Sequence, residues 1–286
     1  MVNPSPLLVS TAQLSAHLND PSWVVFDCRH DLLDHAKGAN LYAAGHIPGA
    51  FFAPVETALA GPKTGTNGRH PLPSPDTFAA FLAAHGVSTG STVVAYDDSG
   101  GLYAARHWWQ AKWIGLRSVA LLDGGIPKWV AEGRALTTDV PAPVPAVLHA
   151  QADASLVWNA DQVLDSLSDP ASAILDARAA ERYRGDVEPM DPVAGHIPGA
   201  LNRFYKANLQ ADLTFRPAEE LKKEFSALLK NRAPEKVAHQ CGSGITACAN
   251  LFAMEYAGLP GSKLYAGSWS EWVADPKRPV ARGAEG

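Results

Sequence analysis

The strongest constraint on the fold is that the chain repeats itself. Its 286 residues contain Asp27-Cys28-Arg29 followed by Gly45-His46-Ile47-Pro48-Gly49-Ala50, and again Asp176-Ala177-Arg178 followed by Gly195-His196-Ile197-Pro198-Gly199-Ala200. Val93-Val94-Ala95-Tyr96-Asp97-Asp98-Ser99-Gly100-Gly101 lines up with Lys236-Val237-Ala238-His239-Gln240-Cys241-Gly242-Ser243-Gly244. Leu122-Asp123-Gly124-Gly125 with Trp129 then matches Tyr265-Ala266-Gly267-Ser268 with Trp272. Solenoid units are far shorter, so a repeat of this length is a duplicated domain. The expected organisation is one domain over 1–135, a second over 152–286, and between them a linker over 136–151, where Pro141, Pro143 and Pro145 break any periodicity. From about residue 275 the chain is rich in Pro, Gly and charge and reads as a loose tail.

Within each copy, short apolar runs alternate with helical patterns. Residues 23–26, 92–95, 118–122, 173–175 and 236–238 read as buried strands, and 75–84, 103–113, 159–167 and 218–229 as helices. Such alternation predicts an α/β fold, a parallel sheet in each domain with helices on both faces and ligands outside the carboxyl ends of the strands.

Cys241 stands at such an end, between a strand-like run and the helix-like run 247–256. Backbone amides and the positive end of the helix dipole there stabilise a thiolate and any anion bound to it. Gly242 and Gly244 let the loop curl so that its amides converge. The residue-by-residue alignment sets Asp98 opposite Cys241, so the first copy is expected to lack thiol chemistry. Features shared by both copies, Arg29 with Asp27, Arg178 with Asp176, and His46 with His196, read as scaffold. Arg182 and Arg184 occur only in the second copy, where Leu32, Leu33 and Asp34 stand in the first. They are candidates for holding a carboxylate.

Bulk properties exclude several classes. The net charge is −5 and basic residues are scattered, which argues against nucleic acid or an anionic membrane as partner. No apolar run reaches membrane-spanning length, and the first residues lack a secretion pattern, so a cytoplasmic location is expected. The three cysteines, Cys28, Cys241 and Cys248, have no metal-ligand spacing and fit a reducing compartment. Cys28 and Cys248 read as small buried side chains.

The paired Gly-His-Ile-Pro-Gly-Ala motifs, the Asp-x-Arg segments, Asp123-Gly124-Gly125 with Trp129, and Gln240-Cys241-Gly242-Ser243-Gly244-Ile245-Thr246-Ala247 together resemble the tandem-domain sulfurtransferases of the rhodanese superfamily. Within it, a Cys-Gly-Ser-Gly loop is similar to that of the 3-mercaptopyruvate sulfurtransferases. The resemblance implies that Cys241 takes a sulfane sulfur as a persulfide and passes it to a thiol, such as a thioredoxin, or to cyanide, with no metal or organic cofactor. Gly242, Gly244, Ile245 and Thr246 would line the sulfur. Ser243 matches the family's relay serine, His70 its histidine, contributed by the first domain, and Glu56 is the candidate acid, although Ala53-Pro54-Val55-Glu56 departs from the family spacing. Arg182 matches the substrate-clamping arginine. A second clamp arginine is replaced by Met190, with Arg184 and Arg203 as candidates to compensate. A thiosulfate sulfurtransferase is the alternative on the same scaffold. A cysteine phosphatase would need an arginine at Ala247, and a non-catalytic binding module would leave the cysteine loop unexplained.

Overall fold

The protein is described from a computed structural model covering residues 6–284. It comprises two compact units. The first is Met1–Gly61, Pro73–Asp153 and Leu209–Phe215; the second is Pro62–Leu72, Ala154–Asn208 and Arg216–Gly286.

In the first unit the chain runs β1 (Leu8–Val9), α1 (Thr11–His17), β2 (Trp23–Asp27), α2 (Lys37–Ala44), β3 (Phe51–Phe52), α3 (Pro75–Ala84), β4 (Thr92–Tyr96), α4 (Ala104–Trp113), β5 (Val119–Leu122) and α5 (Gly125–Ala131). The strands form one parallel sheet in the order β1-β5-β4-β2-β3. The local reasons are ordinary ones. Ser10 and Gln13 make a reciprocal capping box that starts α1, and Ser74 caps α3 with Pro75 in the first turn. The central strands are apolar on both faces because helices cover both.

The second unit repeats the plan with α6 (Ala160–Ser166), β6 (Ala173–Asp176), α7 (Ala180–Arg184), β7 (Leu201–Asn202), α8 (Ala218–Leu228), β8 (Val237–Gln240), α9 (Ala247–Tyr256), β9 (Lys263–Leu264) and α10 (Ser268–Trp272). Its parallel sheet has the order β7-β6-β8-β9. Trp129 and Trp272 take equivalent core positions, each ring nitrogen donating to a backbone carbonyl, of Ala135 and Pro279. The shared polar residues are scaffold in both units. Arg29 forks onto the buried Asp27 carboxylate and reaches Gly45 O at 2.7 Å, while Arg178 does the same with Asp176 and Gly195 O at 2.8 Å. His46 and His196 each stack on a tyrosine, Tyr42 and Tyr183, at 3.8 Å between ring centres.

The division into units does not follow chain order. The segment between β3 and α3, Pro62–Leu72, belongs to the second unit, and the equivalent segment between β7 and α8, Leu209–Phe215, belongs to the first. Residues 138–151 form neither helix nor strand and are tied to the first unit by Ala146 N–H to Ala83 O and Gln151 N–H to Ile114 O. Among the described residues, no helix is long and apolar enough to cross a membrane.

The expectation of a loose tail from about residue 275 is corrected as far as residue 284; Glu285 and Gly286 lie outside the described residues. Ala281 forms a two-way backbone bridge with His196 at 2.9 Å, Pro279 O accepts from Trp272 at 2.8 Å, and Gly283 N–H donates to Arg184 O at 2.9 Å. Composition favours disorder here, but the Trp272 indole and the His196 backbone supply buried partners that composition does not register. At about 1 kcal/mol net per hydrogen bond, truncation after Lys277 should destabilise the second unit by about 3–4 kcal/mol. Urea unfolding followed by tryptophan fluorescence checks this, and an unchanged midpoint would restore the loose tail.

Candidate active site

The pairing of β6 with β8 sets Asp176 opposite Gln240, which makes Cys241 the first residue past the strand end. In the first unit Asp27 pairs with Tyr96, so the residue equivalent to Cys241 is Asp97 and not Asp98. The cause of the shift is loop length. Six residues, 98–103, separate Asp97 from the start of α4, whereas five, 242–246, separate Cys241 from the start of α9. Backbone bonds confirm the equivalence: Ile126 N–H donates to Asp97 O at 3.1 Å as Trp269 N–H donates to Cys241 O at 3.0 Å.

Cys241 is 2 % exposed. Its N–H donates to Ser268 Oγ at 3.1 Å, and Gly242 O accepts from Ser270 N–H at 3.0 Å, so the start of α10 fixes the loop. Gly244 N–H donates to Cys241 Sγ at 3.2 Å. Gly244 has φ +79°, and a side chain there would collide with Ala266 O, so only glycine lets that amide face the sulfur. α9 begins without a side-chain cap; its Cys248 and Ala249 amides turn back onto Ile245 O and Thr246 O, both at 3.1 Å, so what the helix start offers an anion is the positive end of its dipole. Cys248 is inside α9, its thiol donating to Gly244 O at 3.4 Å, and Cys28 is fully buried with its thiol pushed well up, first by burial and then by Asp27.

The first unit fills the same nest with its own carboxylate. Asp97 accepts from Ser99 and Gly101 N–H through Oδ1 at 2.8 and 2.9 Å, and from Tyr103 and Ala104 N–H through Oδ2 at 2.7 and 2.9 Å. Burial pushes this carboxyl up while the four amides pull it down. Leu209 closes over Gly100 and Phe215 over Gly101, leaving an apolar plug where the second unit has its cysteine loop.

The segment Pro62–Leu72 brings polar groups to the cysteine loop. Gly68, at φ +83°, lies against Gly267 O, and Arg69 N–H donates to Ser270 Oγ at 3.0 Å. His70 Nδ1 then sits 2.8 Å from Ser243 Oγ, both residues at most 5 % exposed. His70 meets Ser243 because the segment that carries it packs with the second unit. A Cβ built on Gly242 would lie 2.9 Å from Arg69 Nη2 and 3.5 Å from both terminal nitrogens of Arg182, so two guanidinium groups stand over the loop. Their partners are buried acids. Arg182 Nη2 donates to Glu188 Oε1 at 2.6 Å and lies 3.6 Å from Asp191 Oδ2, while Arg69 is paired with Asp191 Oδ1. Burial pushes the Asp191 carboxyl up, with the Arg69 charge the main opposing influence.

The other candidates lie elsewhere. Arg184 turns onto Asp186 at 2.7 Å and Arg203 onto Glu224 at 3.0 Å and Asn208 at 2.9 Å. Glu56 lies in the first unit, its Oε1 3.9 Å from both His30 Nε2 and His35 Nε2. Gly242, Gly244, Ile245 and Thr246 form the cysteine loop itself. Arg69 is the residue that the motifs did not single out, although it directly precedes His70. The missing arginine at Met190 was the available hint that a cation must come from another segment.

The comparisons with known proteins are consistent with this geometry. The family described as "Rhodanese-like domain" matches residues 10–132 and again 159–275. A Pseudomonas aeruginosa protein named "Probable 3-mercaptopyruvate sulfurtransferase" is 50 % identical over 98 % of this chain and 99 % of its own length. The thiosulfate sulfurtransferase of Rattus norvegicus is 33 % identical over 98 % of this chain and 96 % of its own. The solved 3-mercaptopyruvate sulfurtransferase of Leishmania major superposes with a TM-score of 0.84 at 29 % identity, covering 97 % of this chain and 76 % of that one.

If the Asp97 carboxylate satisfies four amides, Asp97→Ala should destabilise the first unit by about 3 kcal/mol, since buried donors left unpaired cost about 1–3 kcal/mol each before water replaces part of the loss. Denaturant unfolding measures this. Alkylation of Cys241 by iodoacetamide under native conditions should keep its rate, because the plug serves the other unit; a large change would contradict the separation of the two nests.

Proposed function

This chain belongs to the rhodanese-like family, and we propose that it transfers a sulfane sulfur from 3-mercaptopyruvate to a thiol or to cyanide through a persulfide on Cys241. The Cys241 thiolate attacks the donor sulfur, an S–S bond forms and the donor C–S bond breaks, and the electron pair leaves with the pyruvate enolate. The proton carried by the donor thiol ends on that enolate carbon, giving pyruvate and a persulfide anion, so the step needs a proton path but no oxidant. The outer sulfur is then attacked by the acceptor and Cys241 is regenerated. Gly244 N–H and the positive end of the α9 dipole hold the charge on sulfur.

The observation that carries this reading is the buried 2.8 Å contact between His70 Nδ1 and Ser243 Oγ within the cysteine loop. A donor whose leaving group must be protonated needs such a pair. Arg182 and Arg69 hold the donor carboxylate, which takes over from Asp191 on the guanidinium groups; Arg69 supplies the cation that Met190 does not. A thiosulfate sulfurtransferase is the second reading, favoured by the same two cations, which suit a dianion equally well. The phosphatase alternative lacks its arginine, because Ala247 opens α9. Three cysteines, none of them in a disulfide, support a reducing, cytoplasmic setting in which a thioredoxin-like dithiol is the acceptor.

Cys241→Ser should abolish persulfide formation, read by mass spectrometry after donor treatment, while Cys28→Ala and Cys248→Ala keep most turnover. His70→Ala should lower turnover of mercaptopyruvate, followed by pyruvate release, about 100-fold. Thiosulfate turnover, followed by sulfite release, should fall far less, because sulfite leaves without a proton. Equal losses with both donors would point to damaged packing instead of a lost proton path. Arg69→Met should raise the KM for mercaptopyruvate at least about 10-fold with a smaller change in kcat, as expected for loss of a charge-assisted bond to a carboxylate. An unchanged KM would return Arg69 to a structural partner of Asp191.

A further inference from the structure

The loop after β2 and the segment after β3, both in the first unit, bring two imidazoles and a carboxylate to one spot. His30 Nε2 and His35 Nε2 each lie 3.9 Å from Glu56 Oε1, and one ligand atom from each of the three residues falls within 4.8 Å of the others. The His30 side chain is 3 % exposed, and its Nε2 has no hydrogen-bond partner among the described residues. An unpaired buried polar atom costs stability unless it has another use. The ring is held edge-on to Tyr103 at 5.3 Å between centres, which fixes where the free nitrogen points. His35, by contrast, is 56 % exposed and leaves the spot open to solvent.

We propose that His30, His35 and Glu56 form a binding site for a divalent transition metal of the zinc class, with water in the remaining position. Two imidazole nitrogens and one carboxylate oxygen are the donor set that zinc takes when one position stays open, whereas magnesium and calcium favour oxygen alone. Metal–ligand bonds of about 2.0–2.1 Å place neighbouring donors of a tetrahedral site about 3.3 Å apart. The two histidine–glutamate separations therefore need to close by about half an ångström and the histidine–histidine one by at most about 1.5 Å, which the exposed His35 side chain can supply. The bound ion would tie the His30–His35 loop to the segment bearing Glu56.

The test uses full-length, tag-free protein carrying Cys241→Ser, so that the reactive thiol cannot compete for metal. Titration with Co²⁺ should give one saturable equivalent, with visible d–d bands and no sulfur-to-cobalt charge transfer, and Zn²⁺ should displace it. His35→Ala and Glu56→Gln should each weaken binding at least about 10-fold, since even residues that only orient a ligand cost that much. Circular dichroism of the metal-free variants separates lost binding from lost folding, and the exposed His35 keeps the test valid if changes at Glu56 perturb the fold. Absence of a saturable equivalent, or an affinity that neither substitution changes, would overturn the proposal.

Discussion

The turn from a central parallel strand into the following helix leaves several amides pointing at one small volume, and that volume must hold an acceptor. Everything that distinguishes the two halves follows from what each places there. The first unit puts in the Asp97 carboxylate, which meets four amides and closes the nest permanently. The second puts in the Cys241 sulfur, which meets Gly244 N–H just before the start of α9. The same backbone need is met once by a structural side chain and once by a reactive one.

The covering segments carry the distinction further. The stretch between the third strand and the following helix is assigned away from its own half in both copies. Over the filled nest it delivers Leu209 and Phe215, and over the open one Arg69 and His70. An apolar cover suits a nest that needs no ligand, and a cationic one suits an anionic donor. The buried acids Glu188 and Asp191 pair with Arg69 and Arg182, since an arginine left without a partner in a half-buried site would be costly.

Much of the fold was legible in the chain. The five strands β2, β4, β5, β6 and β8 and the helices α3, α4, α6 and α8 lie within a residue or two of their expected bounds, because each is long enough to show its period. The edge strands β1, β3, β7 and β9 span two residues each, too few to carry any period, and the short helices α7 and α10 were invisible for the same reason. Asp98 was matched to Cys241 because alignment by residue identity does not register a one-residue difference in loop length. Hydrogen-bond register does, and it selects Asp97.

Local chemistry was written in the sequence: a cysteine at a strand end, glycines that curl its loop, and a duplicated scaffold whose shared residues are structural. The family resemblance named His70 beside Ser243, but only the tertiary structure showed how it arrives there and that Arg69 comes with it. His70, 173 positions away from Ser243, meets it because the segment carrying it packs on the start of α10. Arg69 comes with it, while Arg184, closer in sequence to the other candidate Arg182, turns onto Asp186. Periodicity and motifs report what a residue does to its own neighbourhood, whereas the company of a side chain across the fold depends on packing that no local pattern encodes.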